Sequence, residues 1–420
     1  MNKLRYLIAV SSVALLLAAC DDTPEYRPAR NFDGDAKAVA GMFLTAEDST
    51  EITLPEGHFL FDRSLILEGR KHVTVRGAGT KRTVISFKGQ AEGAEGILVK
   101  NCKHITLEGF SIEDAAGDNI KVTDTEKITF RNIESGWTGP VGPENGAYGL
   151  YPVLCKGVLI EGCTVYGASD AGIYVGQSDS VVVRQNKAFH NVAGIESENS
   201  TRVRIHNNEA YENTGGLLIF DLPGLTMSGG DVEVWDNNIV NNNLDNFAPA
   251  GNIVGMVPAG TGIMILATRG VRIHHNNIDD HKTIGTAIVS YELVEALSAE
   301  SEAAEATVGS TAEINASYRS DTAYNAYPGR IVIEDNHYRK IRGLPDMNHD
   351  IGKLLVMKFP LNRPQIVWDG IRHPDYYLPD GSVNPDYRIC IREKLLFVDL
   401  DLGNDMENLT KRPDELRCKN

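Results

Sequence analysis

Val181-Val-Val-Arg-Gln-Asn186, Val203-Arg-Ile-His-Asn-Asn208, Val232-Glu-Val-Trp-Asp-Asn237 and Val271-Arg-Ile-His-His-Asn276 are four copies of one six-residue pattern. Weaker copies start at Val73, Ile105, Ile128, Val158 and Ile331. A second segment, headed by Gly96, Gly149, Gly172, Gly194 or Gly262 and once by Asn119, starts nine residues before six of these copies. Successive heads from Gly96 through Asn119, Gly149 and Gly172 to Gly194 lie 23, 30, 23 and 22 residues apart. Apolar–polar alternation within each copy sends one row of side chains inward and the next outward. A fixed period of this length, with strands and turns in every unit, is the signature of a solenoid. The predicted fold is therefore all-β, a right-handed parallel β-helix.

Asn186, Asn208, Asn237, Asn276 and Asn336 recur at the coil corners. Asn tolerates left-handed backbone and can bond its counterpart in the next coil, so the series reads as a structural ladder rather than a catalytic set. The solenoid is assigned to residues 36–341, and the helical composition near its start suits a cap helix over the first coil, which an exposed parallel edge requires. Loop insertions at 221–230, 241–261 and 291–330 break the rhythm. Long loops on a rigid solenoid usually build its binding face. Residues 342–420 lose the repeat and read as an irregular C-terminal capping region.

The N-terminus carries an address. Lys3 and Arg5, the apolar run from Tyr6 to Leu16, and Leu17-Ala18-Ala19-Cys20 make residues 1–19 an export signal. The apolar run is too short for a stable transmembrane helix. Leu-Ala-Ala-Cys resembles a bacterial lipobox, which implies acylation of Cys20 and anchoring to a lipid membrane. The alternative is an ordinary signal peptide with an incidental Cys. Residues 20–35 then form the lipidated Cys and a polar tether. Asp21-Asp22 resembles the enteric signal for retention in the inner membrane, an address that other bacteria read differently. The expected location is the bacterial cell envelope, periplasmic or surface-facing.

The formal charge is −16, and about −18 once Lys3 and Arg5 leave with the signal. Such a chain repels nucleic acid, which is not expected as a partner. An acidic polysaccharide would need a basic patch or a bridging divalent cation, which makes calcium the candidate cofactor. No metal motif stands out, and the Cys-X-X-Cys-His haem signature is absent from the sequence. In an oxidising compartment, Cys390 and Cys418 of the loop-rich C-terminal region are the expected disulfide. Cys102 and Cys155 hold equivalent places one intervening coil apart, about 10 Å at ~4.8 Å per strand, too far to bond. They read as small buried residues.

One outward column runs two residues after the segment heads: Leu98, Lys121, Tyr151, Tyr174, Glu196, Leu218 and Met264. The next holds Lys100, Thr123, Val153, Gly176, Glu198, Phe220 and Leu266, and Asp118, Tyr148 and Asp170 lie just before the strands. Stacked aromatics beside carboxylates suit sugar rings, whose apolar faces stack and whose hydroxyls meet acceptors. Tyr148, Tyr151, Tyr174 and Lys121 are therefore the candidate ligand-binding residues. Asp170, Glu196 and Glu198 are the candidate catalytic carboxyls, because neighbouring like charges raise one another's pKa as acid–base work requires. Against this, any outward column must be filled with something, and Leu218, Phe220 and Met264 point to loops covering part of the face.

Several strings resemble a family of exported, lipoprotein-type parallel β-helix repeat proteins. They are Tyr-Gly-Leu-Tyr-Pro-Val-Leu-Cys (148–155), Gly-Ala-Ser-Asp-Ala-Gly-Ile-Tyr-Val-Gly-Gln (167–177), Asn-Val-Ala-Gly-Ile-Glu (191–196) and Asn-Thr-Gly-Gly-Leu-Leu-Ile-Phe-Asp-Leu-Pro-Gly (213–224). The resemblance implies an exported protein encoded beside a second one that looks like a dihaem cytochrome, and it implies no particular reaction. A more distant likeness is to mannuronan C5-epimerase-type β-helices, which carry Tyr-Gly, an apolar residue and Asp-Pro-His-Asp on a strand. Here the stretch is Tyr148-Gly149-Leu150-Tyr151-Pro152-Val153-Leu154, with both acids and the histidine replaced. Proton abstraction beside a uronate carboxylate needs a base and charge neutralisation, and Tyr151 alone supplies only part of that.

The expectation is a lipid-anchored envelope β-helix binding a carbohydrate or an envelope partner on its loop-rich face. One alternative is a polysaccharide lyase, epimerase or hydrolase; another is a scaffold docking the exported cytochrome-like partner through its insertions.

Overall fold

The computed structural model describes residues 31–299, 310–339 and 341–418, so Cys20 and most of the 20–35 tether lie outside the described residues. Each full coil contributes three strands, as in Ala171–Gly176, Asp179–Arg184 and Lys187–Phe189. Stacked coils make three sheets of 12, 11 and 10 strands among the described residues. Neighbours pair in parallel and in register, Val158 with Val181, Val181 with Val203, and Val203 with Val232. The chain is a right-handed parallel β-helix, as the repeat predicts. The third strand of each coil is an addition to that prediction: at three residues, such as Lys187–Phe189, it is too short for alternation to register.

The residues that open the nine repeat copies all point into the solenoid. Val73, Ile105, Ile128, Val158, Val181, Val203, Val232, Val271 and Ile331 belong to one continuous buried core. β-branched side chains pack well on such pleated surfaces, and burying each contributes roughly 1.5–3 kcal/mol.

The corners are closed by asparagine. The backbone N–H of Asn186 donates to Asn208 Oδ1, that of Asn208 to Asn237, that of Asn237 to Asn276 and that of Asn276 to Asn336, each at 3.0 Å. Each amide Nδ2 also donates to the next Oδ1, at 2.9–3.0 Å. Cys163 starts this series, its N–H bonded to Asn186 Oδ1 at 2.9 Å. A second ladder at the next corner runs Asn191, Asn213 and Asn242. Buried His281 takes its following rung, a ring nitrogen meeting the Ile239 carbonyl at 3.1 Å. At the remaining corner Cys102 and Cys155 donate their N–H groups to Thr125 Oγ1 and Ser178 Oγ. Both thiols are buried and free.

The second ladder and the next coil's backbone explain two of the Gly heads. A Cβ on Gly172 would sit 2.8 Å from Asn191 Nδ2 and 2.7 Å from Val165 Cγ2, and one on Gly194 would sit 2.7 Å from the Gly216 carbonyl oxygen. The constraint is the space taken by the rung and the next coil, because neither glycine has a left-handed φ.

Both ends are covered. Helix α1 (Ala36–Leu44), capped by Asp35, lays Val39 and Phe43 on the first coil. At the other end residues 342–418 are irregular between strands but supply Ile366–Trp368, Ile389–Ile391 and Phe397–Asp399, which extend two of the sheets past 341. Trp368 and Leu416 close the core there, and Cys390 is bonded to Cys418 with Cα atoms 5.3 Å apart.

Asn208→Ala removes the acceptor of the Asn186 N–H and the Nδ2 donor to the Val183 carbonyl inside the stack. The expected loss is about 2–4 kcal/mol of unfolding free energy, measured by denaturant titration. A loss below ~1 kcal/mol would show that the ladder does not hold the coils.

Candidate functional site

The strand pairing places the outward column as the sequence implies. Leu98 pairs with Lys121 and Lys121 with Tyr151, while Tyr174 pairs with Glu196, Glu196 with Leu218 and Leu218 with Met264. Beside it Glu198 pairs with Gly176 and Phe220. These residues face away from the core, yet Tyr174, Glu196, Glu198, Leu218 and Phe220 are all buried. The insertions bury them.

Residues 221–230 fold back so that Leu222 and Asn199 exchange two hydrogen bonds, at 2.7 and 2.8 Å. A 3₁₀ turn at Ile253–Met256 lies over the same face. Helices α2 (Tyr291–Ala299) and α3 (Thr311–Ser320) complete the cover. They are tied together by Tyr291 Oη donating to Asn315 Oδ1 at 2.8 Å and Tyr318 Oη to Glu292 at 2.6 Å. Tyr324 Oη donates to the Asp221 carbonyl at 2.6 Å, locking the third insertion to the first. The result is a second hydrophobic core outside the solenoid, containing Leu218, Phe220, Leu222, Ile253, Val254 and Tyr291.

Where that cover thins, a cleft of about 530 Å³ remains. Lys121, Tyr148, Tyr151, Asp170, Tyr174, Glu196 and Glu198 all line it, so the structure brings every sequence-nominated binding and catalytic residue together. The three tyrosine rings pack on one another with centroids 4.4–4.9 Å apart. Tyr148 Oη donates to Asp170 Oδ2 at 3.3 Å, and Tyr174 Oη to Glu198 Oε1 at 2.5 Å. Lys121 Nζ stands 5.0 Å from the Tyr151 ring centre and within 3.5–3.8 Å of Glu95 and Asp118.

The carboxyls are abnormal because they are buried. Desolvation pushes Asp118 up to about 7 against the pull of Lys121, and pushes Asp221, which precedes the lining residue Leu222, up to about 7 as well. Asp170, Glu196 and Glu198 are all raised, first by burial, with mutual repulsion adding for Asp170 and Glu196 and the Tyr174 hydroxyl partly offsetting the rise at Glu198. Burial also raises Tyr148, Tyr151 and Tyr174, which stay protonated. Asp170 Oδ1 and Glu196 Oε2 are buried with no hydrogen-bond partner. The cleft thus holds protonatable carboxyls with open acceptor positions beside an aromatic wall. Such groups can accept from a ligand, and in the protonated form can donate to one.

The sequence did not nominate Leu222, Ile253, Glu313, Ile314 and Ser317, which form the cover side. Their signal was the insertions themselves, whose landing points no periodicity specifies. Among the described residues no group of three or more His, Cys, Asp or Glu is arranged to hold a metal ion. A second cleft, of about 590 Å³, lies between residues 245–256, 310–315 and 346–349. Its one histidine, His349, is already engaged by Asp346 at 2.7 Å and the Gly255 carbonyl at 3.1 Å. The tyrosine cleft is therefore the stronger candidate.

Residues 95–243 match the family described as right handed beta helix region. The A-module of mannuronan C-5 epimerase AlgE6 from Azotobacter vinelandii is a similar solved structure, at 13% identity and a TM-score of 0.50, with 80% of this chain and 84% of that chain covered. An alginate lyase from Paenibacillus sp. is 12% identical with a TM-score of 0.43, covering 73% of this chain and 94% of that one. At 13% identity the likeness to the epimerase module shows the fold alone. No curated protein matches the sequence.

Carboxyls whose folded pKa lies above the ordinary value near 4 bind more protons in the folded state. They favour folding fully below that value and lose the contribution as pH rises to about 7. The melting temperature is therefore expected to fall between pH 5 and 8, and the fall should shrink in Asp118→Asn. Thermal unfolding across that range checks it; a flat profile in the parent would show that these carboxyls are ionised in the fold.

Proposed function

We propose that the protein is a cell-envelope β-helix whose tyrosine cleft binds a sugar unit of a glycan. The observation that carries this is the wall of three packed tyrosine rings beside buried carboxyl oxygens without partners, in one open cleft. Tyr148 and Tyr151 are only partly buried and offer ring surface, whereas Tyr174 is 5% exposed and holds Glu198 in place. The epimerase-like strand retains Tyr148 and carries Tyr151 where that motif has its first acid, while the carboxyls come from neighbouring coils, at Asp118, Asp170, Glu196 and Glu198.

Acid–base processing of the bound glycan is the second reading, favoured by the raised carboxyls. Here Glu196 or Asp170 would act as the protonated donor and Tyr151 would position the ring. Docking of an exported partner through the insertions has less support. On the 241–261 and 291–330 segments Leu297 is the one exposed large apolar residue among the described residues.

Anchoring rests on Leu17-Ala18-Ala19-Cys20. Cys20→Ser should abolish incorporation of labelled fatty acid and release the protein from membranes; retention of both would refute the lipobox.

Titration calorimetry against neutral, amino and uronic oligosaccharides, with and without calcium, tests the cleft. Tyr151→Ala is expected to weaken the best ligand roughly five- to tenfold, the worth of one aromatic contact of about 1–1.5 kcal/mol, with little change in melting temperature. Tyr174→Ala should instead cost about 3 kcal/mol of stability or more. Product formation abolished by Glu196→Gln would establish the enzyme reading, and silence toward every saccharide would refute the glycan reading.

A further inference from the structure

The charge of the cleft is one-sided. Its lining carries Asp118, Asp170, Glu196, Glu198 and Glu313 against Lys121. Lys121 is already held by Glu95 and Asp118. A polyuronate would set its carboxylates against buried carboxyls, with no uncommitted cation among the described lining residues to receive them. A carboxylate held beside these groups in a desolvated site raises the cost of ionising them further than it would in water.

The hydrogen-bonding capacity is equally lopsided. Tyr148 and Tyr174 spend their hydroxyl protons on Asp170 and Glu198. Glu196 is 1% exposed and its Oε2 has no partner; Asp170 is 6% exposed and its Oδ1 has none. A buried polar atom left unpaired costs roughly 1–3 kcal/mol, and both residues line the cleft. Burial favours the protonated form of these carboxyls in the empty cleft, and a group that brings a positive charge with several N–H bonds favours their ionised form and supplies donors to the unpaired oxygens. An ammonium on a ring with an apolar face meets that need and the tyrosine wall together.

We propose that the cleft selects an amino sugar, taking a unit of a de-N-acetylated glycan whose ammonium donates to Asp170 Oδ1 and Glu196 Oε2 while its ring lies on Tyr148 and Tyr151. This rests on the glycan reading and narrows it. N-acetylation removes the charge and two of the donors, a uronic acid inverts the charge, and a neutral sugar supplies weaker hydroxyl donors.

Calorimetry on the full chain with a glucosamine tetrasaccharide, its N-acetylated counterpart, a uronic tetrasaccharide, a neutral glucose tetrasaccharide and calcium alone decides it. The glucosamine oligomer is expected to bind at least about tenfold tighter than the others, the worth of a charge-assisted hydrogen bond. Both Glu196→Gln and Asp170→Asn should erase that preference; two variants guard against one failing to fold. Equal or tighter binding of the N-acetylated, neutral or uronic oligomer overturns the amine selection and leaves the glycan reading standing. Binding of no saccharide overturns both, and binding of calcium without the amine reassigns the carboxyls to a metal cation.

Discussion

Consecutive coils must stack in register, and the corner asparagines impose that condition. Parallel strands repeat at ~4.8 Å, and at each turn a backbone N–H would lack a strand partner. The side chain of the next Asn supplies one. Neighbouring rungs are 22 residues apart from Asn186 to Asn208, 29 to Asn237, 39 to Asn276 and 60 to Asn336, yet every N···O distance is 3.0 Å. The first, second and third insertions account for the longer intervals, and all three are looped out without disturbing the pitch. A ladder that ignores the length of chain between its rungs lets a solenoid acquire large loops. Gly172 and Gly194 belong to the same constraint, because the Asn191 and Asn213 rungs occupy the space that a Cβ would need.

On the outer face this regular frame meets two different covers. From Leu218 onward the columns are apolar, and the insertions fill against them to make a second core. From Asp118 to Glu198 the columns turn aromatic and acidic, and the cover leaves a cleft. Buried, partly unpaired carboxyls oppose folding, and a compact domain with a single core would feel that cost throughout. In a solenoid, stability is close to a sum of neighbouring-coil terms. The interior beneath the cleft stays continuous, with Ile120, Leu150, Ile173, Ile195 and Leu217 all fully buried. The strain of the site is local and the stack beneath it is not interrupted.

What the sequence discloses follows from what repeats. The inward residues, the first asparagine ladder and the outward columns recur at fixed intervals, so Tyr151, Tyr174, Glu196 and Glu198 could be placed together without coordinates. The second ladder at Asn191, Asn213 and Asn242 repeats as regularly and was open to the same argument, but its neighbours form three-residue strands that carry no alternation. The final strands, Ile366–Trp368 and Phe397–Asp399, are separated by irregular chain with no periodic spacing. How tightly the face is covered was beyond pattern. Tyr324 reaching the Asp221 carbonyl spans 103 residues, and Gly224 meeting Asp321 spans 97. Contacts of that range depend on how the insertions pack, which one sequence does not encode in any periodic form.

The division of labour between ladder and insertions locates the chemistry. The same outward columns, followed toward the N-terminus past the insertions, present Ile66 at 47% exposure and a half-exposed Lys100 and Thr123. Nothing in strand geometry distinguishes those positions from Glu196 or Glu198. The register fixes where each side chain points, but desolvation raises the carboxyls, and desolvation comes from Leu222, Ile253 and α3 above them. Tyr148 and Tyr174 then bind one oxygen of Asp170 and Glu198, while Asp170 Oδ1 stays buried without a hydrogen-bond partner. A change in loop length can therefore alter the site's charge state and selectivity while the β-helix stays as it is.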